Sequence, residues 1–110
     1  MYKVIKKSES ILRQIAPNKT ANNYITKDIN PLFSLATTKG DNYYEKVKVG
    51  YNRVYFVLEG ELILNFDKKQ EKLNVGDCIY IEKNTTYEMT GTFNAIVINQ
   101  PAFSTLPDKN

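Results

Sequence analysis

The sequence contains no histidine. That removes the commonest protein metal ligand and the side chain that most often carries protons near neutral pH. A single cysteine, Cys78, excludes an internal disulfide framework and a thiolate zinc site. Cys78 lies in the apolar run Cys78-Ile79-Tyr80-Ile81 and reads as a small buried hydrophobe. A nucleophilic thiol would want an imidazole partner, and the chain has none. No apolar run approaches the roughly 18 residues of a membrane span. The start, Met1-Tyr2-Lys3-Val4-Ile5-Lys6-Lys7, lacks the apolar centre of a secretory leader. The expectation is a cytoplasmic chain with no membrane partner. Single-sign charge is also scarce: 15 basic against 12 acidic residues leave a net +3, and apart from Lys3, Lys6 and Lys7 most lysines alternate with Asp, Glu or Asn. Without a basic stripe interleaved with aromatics, no nucleic-acid partner is expected.

What is present reads as a small all-β domain. A chain of 110 residues makes one domain with a modest core. Eight tyrosines and five phenylalanines favour a pleated surface on which flat rings pack. Residues 2–5 suit a short edge strand, and Ser8 suits the cap of a short helix carrying Ile11, Leu12 and Ile15, ended by Pro17. Residues 18–23 are polar and read as a loop. From Leu32 onward short β-prone runs alternate with turn signals every eight to twelve residues or so. The turns fall at Gly40-Asp41-Asn42, Gly50-Tyr51-Asn52, Glu59-Gly60, residues 67–70 and residues 83–85, and the last strands cover 87–89 and 93–98. No long amphipathic helix intervenes, so the pattern predicts an antiparallel sandwich or barrel. The organisation expected is an N-terminal extension over residues 1–30, a β-barrel over 31–103 and a loose tail over 104–110.

Val57-Leu58-Glu59-Gly60-Glu61-Leu62 and Leu73-Asn74-Val75-Gly76-Asp77 resemble the two conserved turns of the cupin superfamily. Glycine suits both places because such turns need positive φ or close backbone approach. Asn99-Gln100-Pro101-Ala102-Phe103 is similar to the close of small cupins related to ethanolamine-utilisation proteins. The resemblance covers about residues 32–103. It implies a cupin-type antiparallel barrel, a double-stranded β-helix or jelly roll. Laid without a gap from Gly40 to Gly60, the family's first motif puts its two histidine positions on Lys46 and Lys48 and its glutamate position on Arg53. The second motif, laid from Gly76, puts proline on Glu82, glycine on Asn84 and histidine on Tyr87. Every metal ligand is replaced. Permanent or usual cations repel a divalent ion, so neither metal nor other cofactor is expected.

Lys46 and Lys48, two apart on one strand, share a face. In the family frame that face is the barrel interior, with Arg53, Tyr87, Tyr44, Tyr55 and Val57. A cavity with aromatic walls and a cationic floor follows, with Lys46, Lys48, Arg53, Tyr55 and Tyr87 as ligand-binding candidates. Two such lysines repel by roughly 2 kcal/mol at an effective dielectric near 20, which an anionic ligand relieves. The alternative is that the lysines reach water and pair with Glu45, Glu59, Glu61, Glu82 or Glu88 as weak surface contacts. Three functions stand open: a metal-free module binding a small anionic or sugar-like molecule; a metal-free isomerase or epimerase of a sugar derivative with Tyr87 as its candidate catalytic base; and a structural barrel with a filled pocket. The resemblance also implies a homodimer formed by sheet augmentation, with residues 2–15 as the contact.

Overall fold

The computed structural model describes residues 1–104. A 3-10 turn, Lys7–Glu9, precedes seven strands: β1 (Ile11–Ala16), β2 (Lys19–Ile25), β3 (Ser34–Lys48), β4 (Asn52–Phe66), β5 (Lys69–Leu73), β6 (Cys78–Ile81) and β7 (Thr86–Gln100). All described pairings are antiparallel, in the order β1-β2-β3-β7-β4-β5, with β6 also on β4. The architecture is the all-β jelly roll expected. The sheet curls around its core without the β1 edge meeting β5 or β6 among the described residues.

Three strands of 15 residues, β3, β4 and β7, do most of the wrapping. Each is bent, and the bends explain why the sequence looks like shorter strands. Along one side β4 pairs β7 almost throughout; along the other, Arg53–Phe56 pair β6 and Leu62–Phe66 pair β5. The change of neighbour falls at a register shift between Val57 and Glu59. Here Gly60 has φ of +74°, and a Cβ on it would stand 2.1 Å from the Thr92 carbonyl oxygen. The Glu59-Gly60 signal therefore marks a bend inside one strand. Gly40-Asp41-Asn42 is likewise a bulge within β3, where three steps from Gly40 to Tyr43 oppose two from Phe93 to Gly91. The two strands expected at 87–89 and 93–98 are both β7.

The bulge in β3 reverses which parity faces inward. Ser34, Thr38 and Gly40 are buried before it; Tyr43 and Val47 are buried after it. A two-residue pleat makes this unavoidable, because one inserted residue turns every later side chain over. Tyr55, Val57, Leu62, Leu64, Tyr87 and Met89 are the largest fully buried side chains.

The N-terminal segment differs from the expectation. The region of Ile11, Leu12 and Ile15 is strand β1, and its alternating burial gives the period of two. Residues 18–23, expected as a loop, supply most of β2. Their polarity belongs to a polar interior: Lys19, Ala21 and Asn23 are buried, and Asn23 Nδ2 donates to the Ile11 carbonyl at 3.0 Å. Pro17 and Asn18 form the hairpin, and residues 2–5 form no strand. Cys78 is exposed on β6 opposite Phe56, not buried. Among the described residues no helix is long and apolar enough to cross a membrane. Apart from Ser104, the expected loose tail lies outside the described residues.

Candidate functional site

The curled sheet encloses a cavity of about 210 Å³ whose polar wall includes Arg13, Lys19, Asn23, Glu45, Arg53 and Asn99. The chain returning after β7 forms part of its wall. There Ala102 N donates to the Pro31 carbonyl at 3.1 Å and Phe103 N donates to Ser34 Oγ at 2.9 Å, which seats the Phe103 ring in the wall.

Arg53 projects inward from β4, in register with Asn99 on β7 and Ile81 on β6. Its Nε donates to Asn99 Oδ1 at 2.7 Å; its Nη1 donates to the Tyr55 hydroxyl at 3.2 Å and the Tyr87 hydroxyl at 3.4 Å. The two hydroxyls are 2.7 Å apart, and the residues are 2% and 1% exposed. All these partners are neutral. No carboxylate pairs with Arg53 among the described residues, and Nη2 has no protein acceptor there. Burial opposes the Arg53 charge, but the Tyr55 and Tyr87 hydroxyls outweigh it and raise its pKa, so it is a permanent cation. Burial, joined by Tyr55, pushes the Tyr87 hydroxyl well above the ordinary tyrosine range despite the nearby guanidinium.

A second cluster faces the same cavity. Lys19 Nζ lies 3.1 Å from Glu45 Oε1, which also accepts from the Tyr43 hydroxyl at 2.8 Å. The ammonium sits 4.6 Å from the centre of the Tyr43 ring. Desolvation lowers the Lys19 pKa in spite of Glu45. For Glu45, burial pushes upward, but Lys19 and the Tyr43 hydrogen bond prevail and hold the carboxyl below its usual range. Tyr43 is pushed up to about 12, first by burial and then by its bond to Glu45. Arg13, from β1, completes the polar wall with its guanidinium carbon 5.3 Å from the centre of the Phe103 ring.

The candidates read from sequence divide accordingly. Arg53, Tyr55 and Tyr87 come together inside. Lys46 and Lys48 are exposed on the outer face, and Tyr44 is 59% exposed beside them. The β3 bulge is the reason: it turns Glu45 and Val47 inward in their place. Arg13, Lys19, Glu45 and Asn99 escaped sequence reasoning. Reading Gly40-Asp41-Asn42 as a one-residue bulge would have found Glu45; a polar residue on alternating sites of β2 was the only sign of Lys19.

The wall does not fit a divalent metal. Its one carboxylate, Glu45, is already bound by Lys19 and Tyr43, and among the described residues no three His, Cys, Asp or Glu side chains converge. No step is derived through a metal.

Residues 50–98 match the family model described as Cupin domain. Three solved structures share the architecture. KdgF from Halomonas sp. is 12% identical, with 92% of this chain and 96% of that chain covered and a TM-score of 0.80. The Clostridium difficile EutQ protein is 15% identical over 93% and 83% of the two chains, with a TM-score of 0.70. Pac13, a nucleoside dehydratase, is 16% identical over 94% and 86%, with a TM-score of 0.78. No curated protein matches by sequence. Fold and family match together define a cupin-fold domain. The likeness in fold extends to an ethanolamine-utilisation protein, as the closing Asn99–Phe103 segment led us to expect.

Proposed function

We propose that the chain is a metal-free cupin-fold binding protein for a small anionic or sugar-like molecule held at Arg53. The observation that carries this reading is a permanent cation facing a cavity, its hydrogen-bond partners among the described residues all neutral. A guanidinium presents a planar fork suited to carboxylate or phosphate. Asn23, Asn99 and Tyr55 add groups that match hydroxyls. The cavity suits a small metabolite, since drug-sized ligands occupy roughly 300–1,000 Å³. The Streptomyces Pac13 structure with uridine, a ribose-bearing molecule, supports a sugar-like ligand in this fold. The open cavity counts against a barrel filled by its own side chains.

The test is a thermal-shift screen of small acids, phosphates and sugar phosphates. The native protein should rise by several degrees with at least one ligand at about 100 times its Kd, and Arg53→Gln should not respond. A flat native response across the screen contradicts the reading.

A metal-free isomerase or epimerase is the second reading, favoured by Glu45, whose Oε2 has no protein partner among the described residues and whose charge persists at neutral pH. In it Glu45 takes the proton and Arg53 holds the developing negative charge. Tyr87, with its raised pKa, keeps its own proton and supports Arg53 and Tyr55 from behind the cavity wall, in place of the base role expected. On any substrate turned over, Glu45→Gln should abolish activity; full activity in that variant removes the reading.

A further inference from the structure

We propose that the cavity selects dianions: its ligand carries two negative charges, one met by Arg53 and the other by Arg13. This rests on the anion-binding reading above and narrows it by a charge count. Among the described residues three cations line the cavity, Arg13, Lys19 and Arg53, against one carboxylate, Glu45. Glu45 is engaged by Lys19 at 3.1 Å, so that pair is internally neutral. Two guanidiniums remain, and neither pairs with a carboxylate among the described residues.

The two arrive from strands far apart in the sheet order, Arg53 from β4 and Arg13 from β1. Each is held by neutral groups: Asn99, Tyr55 and Tyr87 for Arg53, and the Phe103 ring for Arg13. They are positioned without being neutralised. A monoanion would compensate one and leave the other beside a partly desolvated wall. A short molecule acidic at both ends compensates both, and Asn23 of β2, lining the same cavity, offers an amide for a hydroxyl along its length. A phosphate monoester supplies the same total charge from a single group. The outward Lys46 and Lys48 take no part.

The native protein tests this without mutation. Succinate and butyrate have the same chain length and differ by one carboxylate; glycerol 3-phosphate supplies the charge in one group. Calorimetric titration at matched ionic strength should show succinate binding at least about tenfold more tightly than butyrate, the effect of one further charge-assisted contact. Arg13→Gln should reduce succinate to the butyrate level. If glycerol 3-phosphate binds and succinate does not, two-ended recognition by Arg13 and Arg53 is overturned. Equal affinity for succinate and butyrate overturns dianion selection while leaving the anion pocket standing. Binding of none of the three by the native protein overturns both.

Discussion

Arg53 is set to recognise rather than to stabilise. Its hydrogen bonds go to Asn99, Tyr55 and Tyr87, so removing the charge leaves neutral groups that water in the cavity can serve. Arg53→Gln should therefore change unfolding free energy by no more than about 1 kcal/mol in urea denaturation while removing ligand response. Lys19 behaves differently, because its ammonium and the Glu45 carboxylate depend on each other. Lys19→Met strands Glu45 and should cost about 1–3 kcal/mol, less than for a wholly buried pair because Glu45 is partly exposed. The double variant with Glu45→Gln should recover part of that loss, a coupling read from a double-mutant cycle. The pH dependence has a definite sign. Glu45 has a folded pKa below its unfolded value, so its contribution is complete above the ordinary carboxylate range and is lost as pH falls through the lowered value. The stability gap between native protein and Glu45→Gln should be constant near neutrality and shrink below about pH 4. A gap that widens on acidification contradicts the assignment.

At the level of strands, two glycines separate backbone conformation from crowding. Both Gly60 and Gly76 have positive φ, but a Cβ on Gly60 would strike the Thr92 carbonyl whereas nothing lies within 4 Å at Gly76. Gly76→Ala should cost about 1 kcal/mol and Gly60→Ala several, compared by denaturant midpoints. Equal costs would mean that β4 and β7 part easily at the bend. These glycines were legible in the sequence, as was the strand-rich pattern from Leu32 onward, because turn chemistry and β-propensity are local. The face presented by Lys46 and Lys48 was not. It depends on one inserted residue in β3, and Gly40-Asp41-Asn42 spells a turn as readily as a bulge. Strands β1 and β2 were hidden for another reason: Lys19 and Asn23 face a polar cavity, so the alternation that reveals a strand packed on an apolar core is missing there. Arg53, Tyr55 and Tyr87 were legible because all three lie beyond the bulge on strands whose parity the sequence frame kept.

Across the whole molecule, residues 11–25 are a wall of the cavity, since β1 and β2 bring Arg13, Lys19 and Asn23 to it. Among the described residues β1 is also an edge with one unpaired side, the kind of ladder a second copy can extend. The expected homodimer should appear as twice the monomer mass in light scattering at micromolar concentration; a monomer mass throughout contradicts it. The central claim concerns the interior cation, and a nitrogen-resolved NMR titration with succinate addresses it directly. The account predicts saturable shifts of the Arg53 Nε–H and the Asn99 side-chain amide, with the backbone amides of Lys46 and Lys48 unmoved. Shifts confined to those outer lysines, or a silent Arg53 at saturating succinate, would contradict it.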